Sequence, residues 1–509
     1  MRRVSTPAGY GEVDRADLAV ATHSGTVLGR TEDNVHVFRG IPYAMPPRGP
    51  LRFQPPRPVE PWTGVRKTVE FGPTAAQPSF ALPAGLDEFY PTVDGNGCLN
   101  LNVWTADLGH AGLPVMVWIH GGGFDGGGSS IYDGSRFARD GVVLVSVNYR
   151  LGAEGFLALG DGTANLGLLD QIAALEWVRD NIAAFGGDPG NVTVFGQSSG
   201  AMCAATLLAM PAASGLFRRA ILQSGAGNFV QTPETARHVG QLLAEALGVQ
   251  PTQEAIASAS PALLLEAQMD LMPQLALRPD PRRWNGEPGA RVTAWQPVVD
   301  GRTLPGRPID LVRAGASANV DVLLGTNTEE GRLSLVPSGE LEAVTEKDLA
   351  TAMRLYELPA ERASAIYRRG APGAGPGDIL ALLQRDWWYR APAYRLAEAR
   401  AVSGVPVHMY EFAWRSPRFD GLLGACHFLE VPFVFDVLDD PRFQALTGEE
   451  PPQSLADTMH ASWIAFATHG DPGWPHYDLR ERTVMRFDTF ASPVRDPWSA
   501  ERELWDGID

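Results

Sequence analysis

A strand, a tight turn and a helix meet without a connecting loop at the segment Gly196–Gly200, which reads G-Q-S-S-G. The apolar, β-branched run Val192–Phe195 leads into this segment, and a helix-like run over residues 199–210 leaves it. Only small residues fit such a sharp turn, because its backbone is strained. The turn exposes the hydroxyl of Ser198 above the sheet, beside the free N–H groups of a helix N-terminus. The pattern therefore predicts a serine nucleophile in an α/β chain.

The same alternation of strands and helices extends along most of the chain beyond residue 100. Continuous apolar runs rich in β-branched residues are typical of strands buried on both faces of a parallel sheet. Further strands are predicted at Ala19–Thr22, Val35–Phe38, Val115–Ile119, Val142–Val147, Ala220–Gln223, Val320–Leu324 and Val405–Phe412. A helix is predicted to begin at Asn165 and to end at Gly186-Gly187. The alternation predicts an α/β fold with a mostly parallel central sheet flanked by helices.

Composition narrows the classes of partner and compartment. The 509 residues include 42 basic and 59 acidic side chains, which gives a net charge of −17. Nucleic acids and anionic membranes need a basic footprint, so neither is expected as a partner. The three cysteines are too few for a disulfide framework. Residues 1–11 lack the apolar stretch of a secretory signal, and no apolar run approaches the ~20 residues of a membrane helix. A cytoplasmic location is therefore expected.

A glycine-rich loop, Gly121–Gly123, follows the predicted strand Val115–Ile119. Acyl transfer builds negative charge on a carbonyl oxygen, and backbone N–H groups of a preorganised loop can bind that charge. With Gly126 the loop also satisfies the dinucleotide-binding pattern G-x-G-x-x-G, but residues 127–130 (GGSS) follow it instead of a helix. Without a helix N-terminus a pyrophosphate has no site there, so nucleotide binding is not expected.

Six further blocks of sequence, taken with these two motifs, carry a resemblance to a known family. They occur in family order and at family-like spacing, and they are Phe38–Ala44, Cys98–Val103, Asn148–Gly152, Asn165–Gln171, Phe185–Pro189 and Leu222–Gly225. With them the chain resembles the type-B carboxylesterase/lipase family, which includes bacterial carboxylesterases and the cholinesterases. The resemblance implies an α/β-hydrolase fold in a single domain over 1–509. Segments 230–290 and 340–400 are then expected to be helical cap insertions.

The resemblance also implies where the remaining catalytic residues lie. An acid is expected in an N-x-x-E-G setting after a strand, which the segment N-T-E-E-G supplies with Glu330. The adjacent Glu329 is the competing candidate. A base is expected in a G-x-x-H setting, which G-A-C-H supplies with His427. The order Ser198, Glu330, His427 is the order of nucleophile, acid and base in α/β-hydrolases.

Supporting residues are implied in the same way. The amides of Gly122, Gly123 and Ser199 are expected to form an oxyanion hole. The hydroxyl of Ser224 is expected to support the acid, and Gln197 lies next to the nucleophile. These residues complete the predicted site.

The chain departs from the family pattern at three places. Gln197 stands where the family usually has a glutamate, which removes a negative charge near the site and argues against a cationic substrate. Asn96-Gly97 replace the frequent Glu-Asp pair, so Arg39 is expected to lack its ion partner. The cysteine that would bridge to Cys98 in secreted relatives is missing, so Cys98 is predicted to be free and buried.

Together these features predict a serine carboxylic-ester hydrolase that cleaves small neutral esters through an acyl-enzyme on Ser198. No metal ion or organic cofactor is expected. Two alternatives remain open: a non-catalytic binding or adhesion protein on the same fold, and an amidase or peptidase that uses the same residues. The sequence names neither the natural ester nor the oligomeric state, which is left between a monomer and a homodimer.

Overall fold

The computed structural model describes residues 18–78, 90, 92–109, 112–276 and 293–508. Residues 1–11, on which the prediction about a secretory signal rests, lie outside the described residues, and so do residues 277–290 of the first predicted cap segment. No helix in the described part of the chain combines the length and the apolarity needed to cross a membrane.

The β-strands form one large sheet and one small sheet. In chain order they are β1 (Ala19–Thr22), β2 (Gly25–Leu28), β3 (Arg30–Glu32), β4 (Val35–Pro42), β5 (Val65–Lys67), β6 (Asn100–Thr105), β7 (Leu113–Ile119), β8 (Val143–Val147), β9 (Gly187–Gln197), β10 (Arg219–Gln223), β11 (Asp321–Asn327), β12 (Val407–Phe412), β13 (Thr483–Phe487) and β14 (Ser492–Arg495). The large sheet has the order β14-β13-β12-β11-β10-β9-β7-β8-β6-β4-β3, and β1, β2 and β5 form the small one. Within the large sheet, the neighbouring strands of the run β13-β12-β11-β10-β9-β7-β8 are all parallel. The strands at its two edges pair antiparallel.

Helices connect the strands and cover the sheet. They are α1 (Ser135–Arg139), α2 (Gly152–Phe156), α3 (Leu166–Asn181), α4 (Ser199–Leu207), α5 (Pro233–Leu247), α6 (Gln253–Ala257), α7 (Pro261–Ala276), α8 (Pro308–Arg313), α9 (Arg332–Leu335), α10 (Glu346–Leu355), α11 (Ala360–Gly370), α12 (Pro376–Arg385), α13 (Ala391–Val402), α14 (Val431–Val434), α15 (Gln444–Thr447), α16 (Gln453–His469) and α17 (Ser499–Leu504). Helices α5–α7 lie within the first predicted cap segment, and α10–α12 with most of α13 lie within the second. Their interpretation as cap insertions stays a prediction.

The central strands are buried on both faces, as their continuous apolar sequences require. In β7, Val115 and Val117 belong to the core on one side of the sheet. Met116 and Trp118 alternate with them and belong to the core on the other side. Successive side chains of a strand point to opposite faces, so both faces need a cover of helices. The predicted α/β class with a mostly parallel sheet is confirmed.

The helix predicted from Asn165 to Gly186-Gly187 differs from the structure at both ends. It begins at Leu166, because Asn165 has a left-handed backbone (φ 60°) and its side chain is used elsewhere. The Asn165 carboxamide donates to the Val298 carbonyl (2.8 Å) and accepts from the Val298 N–H (2.6 Å). The helix ends at Asn181, where the chain tightens into a 3₁₀ turn, and Gly187 already belongs to β9.

The predicted strands are all present; Ala19–Thr22 has the predicted bounds, and the bounds of the others are shifted. The largest difference is β9, which begins at Gly187 instead of Val192. The helix after the nucleophile is shorter than predicted and ends at Leu207. The strands β2, β3, β5, β6, β13 and β14 were not predicted. In β6, Asn100 and Asn102 interrupt the apolar run on which the prediction of a strand depends.

Candidate active site

The nucleophile candidate Ser198 occupies the turn between β9 and α4. Its backbone angles, φ 56° and ψ −128°, lie in a region that side-chain-bearing residues rarely adopt. The Ser198 N–H donates to the Gln223 carbonyl at the end of β10 (2.9 Å), which ties the turn to the next strand. A Cβ at Gly200 would lie 2.0 Å from the Ile119 carbonyl oxygen, so the turn requires glycine at that position. Ser199 is the first residue of α4, so its N–H is not used within the helix.

The glycine loop follows β7 and lines the same cavity as Ser198. Gly122 has φ 118° and Gly123 has φ 68°, both outside the range that other residues adopt easily. The Gly122 carbonyl accepts the N–H groups of Asp125 (3.1 Å) and Gly126 (3.0 Å), which closes the loop on itself. A Cβ at Gly122 would lie only 2.1 Å from the Gly126 carbonyl oxygen. The backbone of the loop can therefore face the cavity only with glycine at this position.

The glycine loop does not lead into an α-helix. Residues 127–134, all of them described, include only the short 3₁₀ turn Ser129–Ile131, and α1 begins at Ser135. The described residues that directly follow the G-x-G-x-x-G pattern therefore do not form the helix that a dinucleotide-binding motif requires there.

His427 and Glu330 are joined by a short hydrogen bond. The Nδ1 atom of His427 lies 2.6 Å from Oε2 of Glu330. The other carboxylate oxygen of Glu330 accepts from the Ser224 hydroxyl (2.6 Å) and from the Asn327 N–H (2.7 Å). The Glu330 side chain is fully buried, whereas the imidazole is 13% exposed. With the proton on Nδ1 shared with the carboxylate, Nε2 keeps a free lone pair.

The neighbouring Glu329 points away from His427. Its Oε1 pairs with Arg332 (2.9 Å) and Arg415 (2.7 Å). Its Oε2 accepts from the Ala425 N–H (2.9 Å), on the loop that carries the histidine. The structure thus brings Glu330 to the imidazole and uses Glu329 to hold the loop.

Gln197 contacts the imidazole from the side of the nucleophile turn. Its Nε2 lies 3.1 Å from Nε2 of His427, and the residue is 1% exposed. The same Gln197 nitrogen lies 3.5 Å from Nδ1 of His427, so the amide lies against the imidazole near both ring nitrogens and not along the lone pair of Nε2. Position 197 therefore places a neutral amide against the histidine, where a glutamate would contribute a charge.

A second buried carboxyl, that of Glu430, lies behind this pair. It accepts from the carboxamide nitrogens of Asn327 (2.7 Å) and Gln223 (3.2 Å). Burial and the charge of Glu330 raise the pKa of Glu430 to about 7, although the hydrogen bond from Asn327 acts in the opposite direction. Glu430 stands three residues after His427 within the same motif, but its sequence pattern alone did not indicate a role for it.

A cavity of about 420 Å³ brings the candidate residues together, including Gly122, Gly123, Ser198, Glu330 and His427. Most of the remaining lining is aromatic or apolar, with Tyr90, Tyr132, Leu333, Pro337, Trp388, Tyr389, Phe428 and Leu446. Among these described lining residues Glu330 is the carboxylate, and it is already engaged with His427. The cavity therefore favours an uncharged ligand with a bulky apolar or aromatic group.

Sequence reasoning missed the aromatic wall of this cavity, and Tyr389 above all. The Tyr389 ring is stacked on the imidazole of His427, with centroids 4.6 Å apart and an angle of 19° between the planes. The available signal was the run Trp387-Trp388-Tyr389 within a segment otherwise rich in alanine and leucine. Which of these rings reaches the site depends on the local helix geometry, which a one-dimensional pattern does not specify.

The structure also tests two of the expectations drawn from the departures from the family pattern, those for Arg39 and Cys98. Arg39 does not lack an ion partner: its guanidinium bonds both carboxylate oxygens of Glu32, at 2.5 and 2.7 Å. Because β3 and β4 form an antiparallel hairpin, Glu32 is close enough to replace the missing acid. Cys98 is free and buried, as predicted, and burial raises the pKa of its thiol to about 12.

Comparison with known proteins supports the same family. Residues 16–502 match the model of the carboxylesterase family. The chain is 37% identical to para-nitrobenzyl esterase of Bacillus subtilis (strain 168) over 498 residues, which cover 95% of this chain and 97% of that protein. It is 35% identical to phenmedipham hydrolase of Pseudarthrobacter oxydans over 504 residues, which cover 93% and 96% of the two chains. The crystal structure of a Geobacillus stearothermophilus carboxylesterase at pH 6.2 aligns with a TM-score of 0.84 and 36% identity, over 96% of this chain and 100% of that one.

Proposed function

We propose that this chain, which belongs to the carboxylesterase family and is a carboxylic ester hydrolase, works through an acyl-enzyme on Ser198. His427 is the general base and acid, and Glu330 orients and stabilises its imidazole. The observation that carries the proposal is the 2.6 Å contact between Nδ1 of His427 and Oε2 of Glu330, in the cavity that Ser198 lines.

In the first step Ser198 attacks the ester carbonyl while Nε2 of His427 takes the hydroxyl proton. The imidazolium is stabilised by the buried carboxylate of Glu330 and returns the proton to the departing alcohol. In the second step water attacks the acyl-enzyme with the same base, and the carboxylic acid is released.

The developing oxyanion is bound by the amides of Gly122, Gly123 and Ser199. Gly122 and Gly123 line the cavity, and Ser199 begins α4, where backbone N–H groups and the positive end of the helix dipole are free to act. The hydrogen bonds from the N–H groups of Asp125 and Gly126 to the Gly122 carbonyl support this assignment, because they hold the loop in one shape before the reaction begins.

The substrates we propose are neutral esters that carry an aromatic or other bulky apolar group. The aromatic lining of the cavity and the neutral amide of Gln197 support this class. So do the names of two relatives, para-nitrobenzyl esterase and phenmedipham hydrolase. Helices in segments 230–290 and 340–400 are proposed to cap one domain that spans 1–509. A cytoplasmic location is proposed because all three cysteines are free, which suits a reducing compartment.

Labelling with an organophosphonate tests the proposed nucleophile. We expect one adduct per chain, on the peptide that contains Ser198, and loss of p-nitrophenyl ester turnover in proportion to labelling. The reagent mimics the tetrahedral intermediate, so its reaction requires the serine, the base and the oxyanion hole together. Intact-mass and peptide mass spectrometry provide the measurement. Full ester turnover in a quantitatively labelled protein, or an adduct on a different serine, would refute the assignment.

Replacement of Gln197 by glutamate tests the role of the neutral amide. A carboxylate about 3 Å from Nε2 stabilises the protonated imidazole, which cannot act as a base, so the protonated form persists to higher pH. We expect the acid limb of the kcat/KM profile to move upward by roughly one pH unit, with KM lowered for cationic esters relative to neutral ones of the same shape. Gln250→Glu adds the same charge at an exposed position and is expected to leave both properties unchanged. An unshifted acid limb in Gln197→Glu would show that position 197 does not act on the base.

A further inference from the structure

Tyr389 is held in an unusual part of the second helical segment. It lies in the π-helical turn Asp386–Arg390 between α12 and α13. Such single π-turns are rare and occur frequently at functional sites. Arg385 and Arg390 both pair with the buried carboxylate of Asp386, at 2.7 and 2.8 Å, and the Tyr367 hydroxyl bonds the same group. This buried ion cluster fixes the backbone from which Tyr389 projects into the cavity.

Two side chains of the proposed triad contact Tyr389. Its ring is stacked on the imidazole of His427 at 4.6 Å, nearly parallel. Its hydroxyl lies near the side chain of Ser198, close enough for the serine to lower the pKa of the phenol. Tyr389 thus meets the base through its ring and the nucleophile through its oxygen, and both contacts lie within the cavity.

The Tyr389 hydroxyl is a permanent donor in this setting. Burial and the nearby charge of Glu330 raise the pKa of Tyr389 far more than the neighbouring Ser198 side chain lowers it, so the phenol keeps its proton at any working pH. The Ser198 proton is required by His427 during acylation. In the acyl-enzyme the serine oxygen carries no proton at all, so Tyr389 is then the donor in any hydrogen bond between them.

We propose that Tyr389 is a positioning residue for His427 and assists deacylation by donating a hydrogen bond to Oγ of Ser198 as that oxygen leaves. The proposal rests on the proposed triad. Water attacks the acyl carbonyl and gives its proton to His427. The carbonyl–Oγ bond then breaks, its electron pair goes to Oγ, and His427 transfers the proton to Oγ. The phenol proton of Tyr389 is not transferred; its hydrogen bond strengthens as charge grows on Oγ.

The two chemical steps should therefore respond differently to loss of the hydroxyl. In acylation Oγ forms a bond and carries little net charge, so the hydrogen bond from Tyr389 changes little between the ground state and the transition state. In deacylation Oγ is the leaving atom and gains negative charge, so the same donor lowers the barrier.

Stopped-flow measurement of p-nitrophenyl butyrate hydrolysis by Tyr389→Phe tests this assignment. We expect kcat to fall by about tenfold, the size of one hydrogen bond to a developing charge, and KM to fall with it. The ratio kcat/KM should stay within about threefold of the wild type, since it reports acylation, and a burst of one p-nitrophenol per active site should appear. Tyr394→Phe removes a buried hydroxyl that bonds the Pro497 carbonyl outside the cavity, and it should behave as the wild type.

Tyr389→Leu removes the aromatic ring as well as the hydroxyl, so its comparison with Tyr389→Phe separates the contributions of the two groups. Loss of the stacked ring releases the imidazole, so kcat/KM should fall as well as kcat. Titration with organophosphonate counts the folded active sites in each variant.

Wild-type kcat, KM and burst in Tyr389→Phe would overturn the proposal. An equal loss in kcat and kcat/KM without a burst would also overturn it. If Ser198→Ala keeps full turnover, the triad itself is wrong; if only Tyr389→Phe behaves as the wild type, the triad stands and the role of Tyr389 fails.

Discussion

Replacing Ser198 by alanine is expected to lower kcat for p-nitrophenyl esters by about 10⁵-fold, which corresponds to a loss of about 7 kcal/mol of transition-state stabilisation. Without Oγ no acyl-enzyme forms, and the remaining rate comes from the oxyanion amides and from substrate binding alone. The fold should tolerate the change, because the strained φ of 56° belongs to the backbone and the Ser198 N–H keeps its bond to Gln223. Steady-state kinetics and a thermal melt of the purified variant provide the measurement.

Ser338→Ala is the matched control for this prediction. Ser338 lines the same cavity, but its hydroxyl donates to the Ser334 and Leu335 carbonyls of the helix beside it. Its loss should leave kcat within about threefold of the wild type, the effect of a surface hydrogen bond at most. Equal losses in Ser198→Ala and Ser338→Ala would point to damage of the cavity and not to removal of a nucleophile.

Replacing Glu330 by glutamine is expected to lower kcat by about 10⁴-fold, because the amide forces the wrong tautomer on the histidine. The geometry dictates how the amide must sit. Oε1 of Glu330 accepts from the Ser224 hydroxyl and the Asn327 N–H, so the glutamine carbonyl takes that place and its NH₂ group faces Nδ1 of His427. Nδ1 must then accept, the proton moves to Nε2, and Nε2 can no longer take the proton of Ser198.

Glu329→Gln is the control that the chain itself offers, one residue away. Glu329 pairs with Arg332 and Arg415 and supports the histidine loop through the Ala425 N–H. The variant should lose about 1–2 kcal/mol of the free energy of unfolding, as expected for a partly buried ion pair, and keep kcat within about fivefold. If instead Glu329→Gln is the inactive variant and Glu330→Gln the active one, the assignment of the acid is reversed. Chemical denaturation beside steady-state kinetics distinguishes loss of stability from loss of chemistry.

The sequence predicted the framework of the site because each motif there encodes a requirement of the backbone. Gly200 has to be glycine because of the Ile119 carbonyl, and Gly122 because of the Gly126 carbonyl. Such requirements are local and leave a readable pattern. Buried parallel strands leave another, in their continuous apolar runs, which is why the central strands themselves were predictable.

Contacts between side chains that only the packing of the fold brings together left no such pattern in the sequence. Arg39 finds Glu32 across a hairpin, although the family comparison predicted that it had no acid to pair with. Asn165 was expected to start a helix, but its carboxamide bonds Val298, far along the chain. Tyr389, which stacks on His427, lies in a π-turn whose geometry the sequence pattern does not specify. Each of these depends on contacts between distant segments, which a single sequence does not display.

The neutral amide of Gln197 has a consequence for how this enzyme can change over evolutionary time. Glutamine and glutamate codons differ only in their first base, so a single nucleotide substitution exchanges a donor for a carboxylate 3.1 Å from the base atom of His427. The surrounding glycines and the strained turn need not move for that exchange. We therefore expect one mutational step to change the charge preference for the substrate and the pH dependence of the base together, while the backbone framework of the site stays as it is.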